Sequence, residues 1–309
     1  MTCCPSRGLG GAAPPAPEPD GTVRCDIRVP LRGGRFYMGT RDIVLPEDGE
    51  GPPRQVRIKP FDIAATAVTN TEFATFVAAT GYVTDAERFG WTYVFMGLLD
   101  DAEAHAPLPG LEWWRKVDGA AWCAPQGAGS GWETIADHPV VHVSHRDASA
   151  YAAWAGGRLP TEAEWEFAAL GGRDKARFPW GDAEPDDTDF QPCNIWQGTF
   201  PHVDTGADGY AGTAPVHSYA PNGYGLYNMC GNTWEWTADR YRVRSLKKAA
   251  RVAQSAAQAT PSYTVKGGSF LCHKSYCYRY RIAARSFNTP DSTTSHTGFR
   301  VVFPPTPGG

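Results

Sequence analysis

The sequence predicts an α+β protein, a single mixed domain with low regular secondary structure and long packed loops. Glycine and proline, which interrupt helices and strands, contribute 34 and 26 of the 309 residues. The chain also has 11 tryptophans, 13 tyrosines and 14 phenylalanines, whose large buried areas hold an irregular chain together. Strand-like segments lie towards both ends of the sequence, and three capped helices lie between them.

Each predicted element has a local signal. Three helices begin at a capping side chain that is followed three positions later by an acidic residue. The pairs are Thr69 with Glu72, Ser144 with Asp147, and Thr161 with Glu164. Short strands are predicted at residues 25–31, 35–39, 55–63, 140–143, 263–266, 279–285 and 298–303. Residues 80–135 and 179–238 are rich in turn-forming and aromatic residues, so we expect loops there.

The composition and charge of the chain also indicate its domain organisation and its partners. Residues 1–22 are rich in glycine, proline and alanine without an apolar run, which indicates a disordered tail before a domain at residues 23–305. The net charge of −4 favours neither nucleic acid nor a membrane surface as a partner. Residues 240–252 are basic, and we interpret them as a solvated loop or frayed helix rather than a partner contact. Because no export signal is recognisable, we expect a cytoplasmic protein with reduced thiols.

Two cysteines five positions apart, Cys272 and Cys277, form the most chemically suggestive segment. Three interpretations are open: two unrelated buried cysteines, a structural zinc site, or a redox or soft-metal pair. Zinc requires four closed ligands, and the adjacent His273 cannot easily share a tetrahedral site with its neighbour. Two thiolates suit copper(I) and leave room for a third sulfur from outside. Nearby cations would favour the thiolate form, and the candidates are Lys274, Arg279 and Arg281.

Longer motifs make the segment specific. They include RLPTEAEWE at residues 158–166, DTGADGYAGTAPV at 204–216, PNGYGLYNMCGNTWEWT at 221–237 and CHKSYCYRYR at 272–281. With these motifs the chain resembles the formylglycine-generating enzymes, also called sulfatase-modifying factors, from about Arg35 to Phe303. The resemblance implies a fold related to that of C-type lectins.

The resemblance also implies an activity. Cys272 and Cys277 match the cysteines that bind Cu(I) in that family. The substrate would be an unfolded sulfatase-type polypeptide carrying Cys-x-Pro-x-Arg, whose cysteine is oxidised by O2, with a thiol reductant, to formylglycine. Ser269 and Tyr276 match residues lining the oxygen and substrate pocket, and Trp234 matches an aromatic at the site, although core packing alone would also explain it. We expect a monomer, and an acidic residue that binds the substrate arginine.

Structural calcium is a second implication of the resemblance. Two sets of residues match calcium ligands: Asn194, Ile195, Asp208 and Tyr210 form one set, and Asn228, Gly231, Thr233 and Glu235 form the other. Calcium accepts six to eight oxygens, including backbone carbonyls, so the apolar members are chemically reasonable. Ordinary turns rich in asparagine, aspartate and glycine would give the same spacing.

The sequence departs from the family in two places. Secretory-pathway relatives carry structural disulfides where this chain has Ala152, Ala169, Ile282 and Val301, which agrees with a reducing compartment. The tail contains Cys3-Cys4-Pro5-Ser6-Arg7, which has the Cys-x-Pro-x-Arg spacing of the implied substrate. Chance would explain this match in a chain rich in proline and arginine. The alternative is that the tail enters an active site as self-substrate or pseudosubstrate.

Two other functions are compatible with parts of the sequence. A non-haem iron sulfoxide synthase of the ergothioneine type would need a His-x3-His-x-Glu motif. His138 and His142 have the spacing, but Ser144 stands where the glutamate should be, and no additional domain fits. A non-catalytic lectin-like binding module is the second alternative, and such a module has no need of two thiols at its site.

Overall fold

The computed structural model describes Pro5, residues 27–243 and residues 247–306. The described helices are α1 Asn70–Thr80, α2 Asp85–Phe89, α3 His145–Trp154, α4 Glu162–Ala169 and α5 Lys248–Ala259. The described strands are β1 Arg28–Leu31, β2 Gly34–Met38, β3 Arg54–Ile58, β4 Phe61–Ala64, β5 Trp91–Phe95, β6 Ala106–Leu108, β7 Leu111–Asp118, β8 Gly198–Thr199, β9 Val203–Asp204, β10 Trp234–Arg240, β11 Tyr263–Lys266, β12 Ser286–Asn288, β13 Thr297–Gly298 and β14 Val302–Phe303. Apart from Pro5, the predicted tail lies outside the described residues.

The strands form several small sheets rather than one large sheet. The strand orders are β1-β4-β14, β12-β11-β10-β13, β5-β7-β6, and the pairs β2-β3 and β8-β9. In the first sheet β14 pairs with β4, so the end of the described chain packs against its beginning. In the second sheet β10 runs antiparallel to β11 and parallel to β13. These short sheets leave long loops on the surface, as the glycine and proline content predicted.

The capping signals place the helices correctly. Thr69, Ser144 and Thr161 each accept a hydrogen bond from the backbone of the acidic residue three positions later, and that residue bonds back to the cap. All three predicted helices are therefore confirmed, because each capping box satisfies backbone donors that the first turn leaves open. Helix α1 buries Phe73 and Phe76 against the core.

Several parts of the secondary structure differ from the prediction, among them the predicted loop region 179–238, which contains β8, β9 and most of β10. Residues 140–143 are buried but form no strand, because His142 has a left-handed φ of 60° that interrupts extended pairing. Residues 279–285 also form no strand, because Arg279 and Arg281 turn inwards to ion pairs with Asp48 and Glu50. The region 80–135, predicted as loops, contains α2 and the whole β5-β7-β6 sheet. Its many aromatic residues alternate as strand residues do, a signal that the turn composition obscured.

The core joins the sheets through large aromatic side chains. Trp165, Trp234 and Trp236 are all fully buried, and they connect α4 to β10. A second cluster contains Phe95, Trp114 and buried residues from the loop after β11. Within residues 27–243 and 247–306, no helix is long and apolar enough to span a bilayer.

Candidate active site

The loop that follows β11 carries the two predicted thiols. It starts with Gly267 and Gly268, at φ values of 96° and 73°. A Cβ atom on Gly268 would lie 3.0 Å from the backbone of Tyr280, closer than such contacts usually come. Glycine at this position therefore allows the loop to turn sharply and pack against the chain that returns after Cys277.

The structure brings the two predicted thiols together. The Sγ atoms of Cys272 and Cys277 are 3.0 Å apart, and the two cysteines form no disulfide with each other. A disulfide would require about 2.05 Å, so the sulfurs are in close nonbonded contact. The turn that brings them together is closed by hydrogen bonds from Cys272 N to Ser269 O at 2.9 Å and from Cys277 N to His273 O at 2.7 Å.

Each sulfur has a hydrogen-bond donor. The backbone N–H of Ser269 donates to Cys272 Sγ at 3.4 Å, and Arg279 Nη1 donates to Cys277 Sγ at 3.9 Å. Donors and positive charge beside sulfur favour the thiolate over the thiol. Of the three predicted cations, only Arg279 contacts a thiol in the described part of the chain. Arg281 is paired with a glutamate, and Lys274 is exposed.

An acidic segment that the sequence did not reveal holds these arginines. Asp48 accepts from Arg279 Nε at 2.6 Å and from its Nη2 at 3.0 Å, while Glu50 accepts from Arg281 Nη1 at 2.7 Å. Burial raises the pKa of Asp48, and the hydrogen bond from Arg279 opposes that shift. Because the partners are 231 positions apart in the sequence, only the tertiary fold shows the pairing.

Aromatic side chains surround the thiols. The ring of Tyr276 stacks on Phe200 at a centroid distance of 4.1 Å and meets Trp113 edge to face at 5.2 Å. Trp234 and His296 complete the walls around the two cysteines and Ser269. The indole Nε1 of Trp234 is buried and has no hydrogen-bond partner among the described residues. Trp234 therefore lines the site, and its N–H remains available to a bound molecule.

The other described cysteines lack this environment. Cys193 and Cys230 are buried in the core, and burial raises the pKa of both thiols. His273, although adjacent to Cys272, is held away from the sulfurs by Ser275 and Asp187. Its Nδ1 lies 2.7 Å from Ser275 Oγ and its Nε2 lies 3.3 Å from Asp187 Oδ1.

The first predicted calcium set is close together. The Asp208 carboxylate accepts from the backbone N–H of Tyr210 at 3.0 Å and of Ile195 at 3.2 Å. Asn194 donates through Nδ2 to Gly212 O at 2.8 Å, but no described residue donates to its buried Oδ1. A buried oxygen without a donor, near a carboxylate, is a donor set that suits calcium.

The second predicted calcium set is different. Asn228 Oδ1 is likewise buried with no donor in the described parts of the chain. Glu235, however, accepts two hydrogen bonds from Arg300, at 2.6 and 2.7 Å, and one from Trp165 Nε1 at 2.7 Å. Its charge is therefore already matched by a guanidinium group. Thr233 and Gly231 lie on the same loop, where the backbone φ of Gly231 is 80°.

Copper(I) suits the donor set at the thiols. Two adjacent sulfur donors match a soft d10 cation that accepts few ligands. No group of three or more His, Cys, Asp or Glu side chains with metal-site geometry occurs among the described residues. A closed four-ligand zinc site of the described side chains is therefore not formed here, whereas a two-thiolate site leaves a position for a further ligand.

Comparisons with known proteins agree with this geometry. Residues 13–304 match the model of the sulfatase-modifying factor enzyme 1-like domain family. A formylglycine-generating enzyme of Thermomonospora curvata is 55% identical, with 90% of this chain and 93% of the relative covered. A mouse protein named inactive C-alpha-formylglycine-generating enzyme 2 is 42% identical, with 97% and 89% covered. The structure of PvdO from Pseudomonas aeruginosa has a TM-score of 0.63 and 25% identity, with 94% and 100% covered. The predicted mixed α+β fold with few helices and small sheets is confirmed.

Proposed function

The chain belongs to the sulfatase-modifying factor family, and from this premise we propose that it is an oxidase that converts a peptidyl cysteine to formylglycine. The substrate is the cysteine of a Cys-x-Pro-x-Arg motif in an unfolded sulfatase-type polypeptide. The observation that carries the proposal is the close pair of cysteines, Cys272 and Cys277, with 3.0 Å between their sulfurs. The family alone is insufficient, because a relative with 42% identity is named inactive.

The proposed reaction balances with dioxygen and a thiol reductant. One substrate thiol, one dioxygen and two reducing thiols give one aldehyde, one hydrogen sulfide, one water and one disulfide. Two of the four electrons that dioxygen accepts come from the substrate carbon, and two come from the reducing thiols. Copper(I), held by Cys272 and Cys277, would supply the one-electron chemistry that dioxygen needs and that protein side chains lack.

The residues of the chain prepare the site for that chemistry. Ser269 and Arg279 favour the thiolate forms of Cys272 and Cys277 through the contacts described above. Tyr276 and the aromatic walls exclude water, which strengthens electrostatic interactions at the sulfurs. The unpartnered N–H of Trp234 is positioned to donate a hydrogen bond to a molecule bound in the pocket.

A peptide assay tests the proposal directly. The purified protein is incubated in air with a Cys-Ala-Pro-Ser-Arg peptide and a thiol reductant, with and without copper(I), and the product is labelled with an aldehyde probe. We expect aldehyde to form in the copper-loaded sample and to fall to background after chelation of copper. A peptide with serine in place of the cysteine is the control. Tight peptide binding without any aldehyde would instead support a non-catalytic lectin-like module.

Calcium is the second part of the proposal, and it rests on the loop around Asn194 and Asp208. We propose that one calcium ion stabilises this loop, where little regular hydrogen bonding exists. Binding at a hundredfold excess over Kd would stabilise the fold by about 2.7 kcal/mol. In a protein of this size that corresponds to roughly 4 °C in Tm.

Chelation should therefore lower Tm, and Asn194→Ala should remove most of the chelator-dependent difference. Asn222→Ala is the matched control, since Asn222 Oδ1 accepts from Tyr224 N at 3.0 Å in a separate turn. That variant should lose stability but keep the calcium dependence. Equal melting temperatures of the parent protein with calcium and with chelator would refute the calcium proposal.

A further inference from the structure

The only described residue of the N-terminal segment is held by the body of the protein. Pro5 is buried, and its carbonyl oxygen accepts a hydrogen bond from Asn288 Nδ2 at 2.8 Å. The two residues are 283 positions apart. Pro5 is also the proline of Cys3-Cys4-Pro5-Ser6-Arg7, so the contact falls within the motif that has the substrate spacing.

Asn288 is oriented for this contact by its neighbours. Its Oδ1 accepts from the backbone N–H of Thr289 at 3.0 Å and from Ser292 Oγ at 2.8 Å. These two donors fix which end of the amide is the oxygen, so the Nδ2 group faces Pro5. Asn288 is only 4% exposed, and the Pro5 carbonyl satisfies this buried donor.

The strand of Asn288 is connected to the thiol site by a series of contacts. The ring of Phe287, the preceding residue, packs on Tyr241 at 4.4 Å between centroids. The Tyr241 hydroxyl donates to the backbone oxygen of Asp48 at 2.8 Å. The Asp48 carboxylate holds Arg279, which contacts the sulfur of Cys277. Three packed side chains therefore connect the strand of Asn288 to the reactive sulfur.

The chain that follows Asn288 leads to the other wall of the same site. It contains the buried polar side chains Thr289, Asp291, Ser292, Thr293, Thr294 and Ser295. It ends at His296, which lines the pocket together with the two cysteines. Several of these side chains bond within the protein, as Thr293 does with Thr92 and Thr294 with His296, and so fix the path of the chain between Asn288 and the pocket. Asp291 also provides a carboxylate three positions from the residue that binds Pro5.

The thiols themselves are covered in this structure. Cys272 and Cys277 are each about 1% exposed. A polypeptide cysteine can therefore reach the two sulfurs only after the residues that cover the pocket have moved. In the sequence, Cys3 and Arg7 each lie two residues from Pro5, in opposite directions.

We propose that residues 3–7 act as an intramolecular pseudosubstrate. They are docked through the contact between Pro5 and Asn288, and they compete with the polypeptide that is to be oxidised. This inference rests on the proposed function, because it assumes that Cys-x-Pro-x-Arg is what the site recognises. A tethered segment competes at an effective concentration on the order of millimolar. The apparent KM for an external peptide is therefore raised, while kcat is unchanged once the segment is displaced.

Steady-state kinetics on the full chain test this competition. In the variant Pro5→Gly with Arg7→Ala, we expect KM for the Cys-Ala-Pro-Ser-Arg peptide to fall about tenfold with kcat unchanged. The matched control is Pro17→Gly with Arg24→Ala, which makes the same substitutions in the N-terminal segment but outside the motif. The control should have the parent KM. Equal KM values in all three proteins would overturn the proposal.

A binding measurement separates this inference from the proposed function. The affinity for a fluorescent Ser-Ala-Pro-Ser-Arg peptide, which cannot be oxidised, is measured by anisotropy in the same three proteins. Tighter binding to the motif variant alone supports docking even if no protein makes aldehyde, in which case only the proposed function fails. Normal aldehyde formation together with the same peptide affinity in all three proteins would retain the function and refute the docking.

Discussion

Replacing Cys272 with serine is expected to lower aldehyde formation from the peptide by at least about a thousandfold, and Cys277→Ser by a similar factor. A serine hydroxyl is neither ionised at neutral pH nor a soft ligand, so either variant would leave one sulfur where two are needed. The 3.0 Å contact between the sulfurs means that the pair acts as one unit. For the same reason the double variant should be hardly worse than either single variant.

Copper binding by these variants should be measured as well as their turnover. Competition with a copper(I) chelator should show a large loss of affinity in both variants, with Tm close to that of the parent. Cys123→Ser is the matched control, because Cys123 is a free, half-buried cysteine outside the thiol loop. That variant should keep copper binding and activity. Persistent aldehyde formation in Cys272→Ser would show that the thiol pair does not carry the chemistry.

How much of this site could be predicted from the sequence depends on the separation of its parts. Ser269, Cys272 and Cys277 lie within nine residues, so their spacing allowed a contact, and the resemblance assigned them to one site. Trp234 comes from β10, and only the motif around it indicated a role. Local signals of this kind survive folding because the geometry of a short loop depends mainly on its own residues.

The remaining parts of the site are distant in sequence. Phe200 and His296 reach the pocket from separate loops, and nothing in their local sequence distinguishes them from core residues. Asp48 and Glu50 lie next to a short 3-10 turn, where acidic residues are normally solvated. Here they are buried because Arg279 and Arg281 pair with them across 231 positions. Tertiary pairing of this type leaves no periodic trace, so it required the structure.

The fold shows the same division. Capping boxes predicted α1, α3 and α4 because a cap is a local hydrogen-bond pattern. The predicted strand at residues 279–285 was wrong because two of its arginines are committed to distant carboxylates. The conformation of this segment is therefore determined by its ion pairs with distant residues and not by the strand propensity of its own residues.

Arg300→Gln is expected to cause the largest loss of stability, about 3–5 kcal/mol. Arg300 is fully buried and forms a bidentate pair with Glu235, at 2.6 and 2.7 Å. It also donates to the backbone oxygens of Ala64 at 3.3 Å and Tyr227 at 2.9 Å. The substitution would leave the carboxylate of Glu235 buried and without a matching charge, and would remove a connection between β4 and β10. Urea unfolding monitored by tryptophan fluorescence measures the change.

The control for Arg300→Gln is Arg158→Gln, which breaks a bidentate pair of similar geometry. Arg158 donates to Glu164 at 2.7 and 2.8 Å, but its side chain is 52% exposed. Arg158 is half-exposed and Glu164 keeps its hydrogen bonds from Thr161, so the loss should stay below about 1 kcal/mol. Because the two pairs differ mainly in burial, the difference between the variants isolates the cost of leaving a charge unpaired in the core. If the two variants lose similar amounts of stability, Glu235 obtains its counter-charge elsewhere. A cation bound by the Asn228 loop would then be the candidate. In that case calcium would restore the stability of Arg300→Gln.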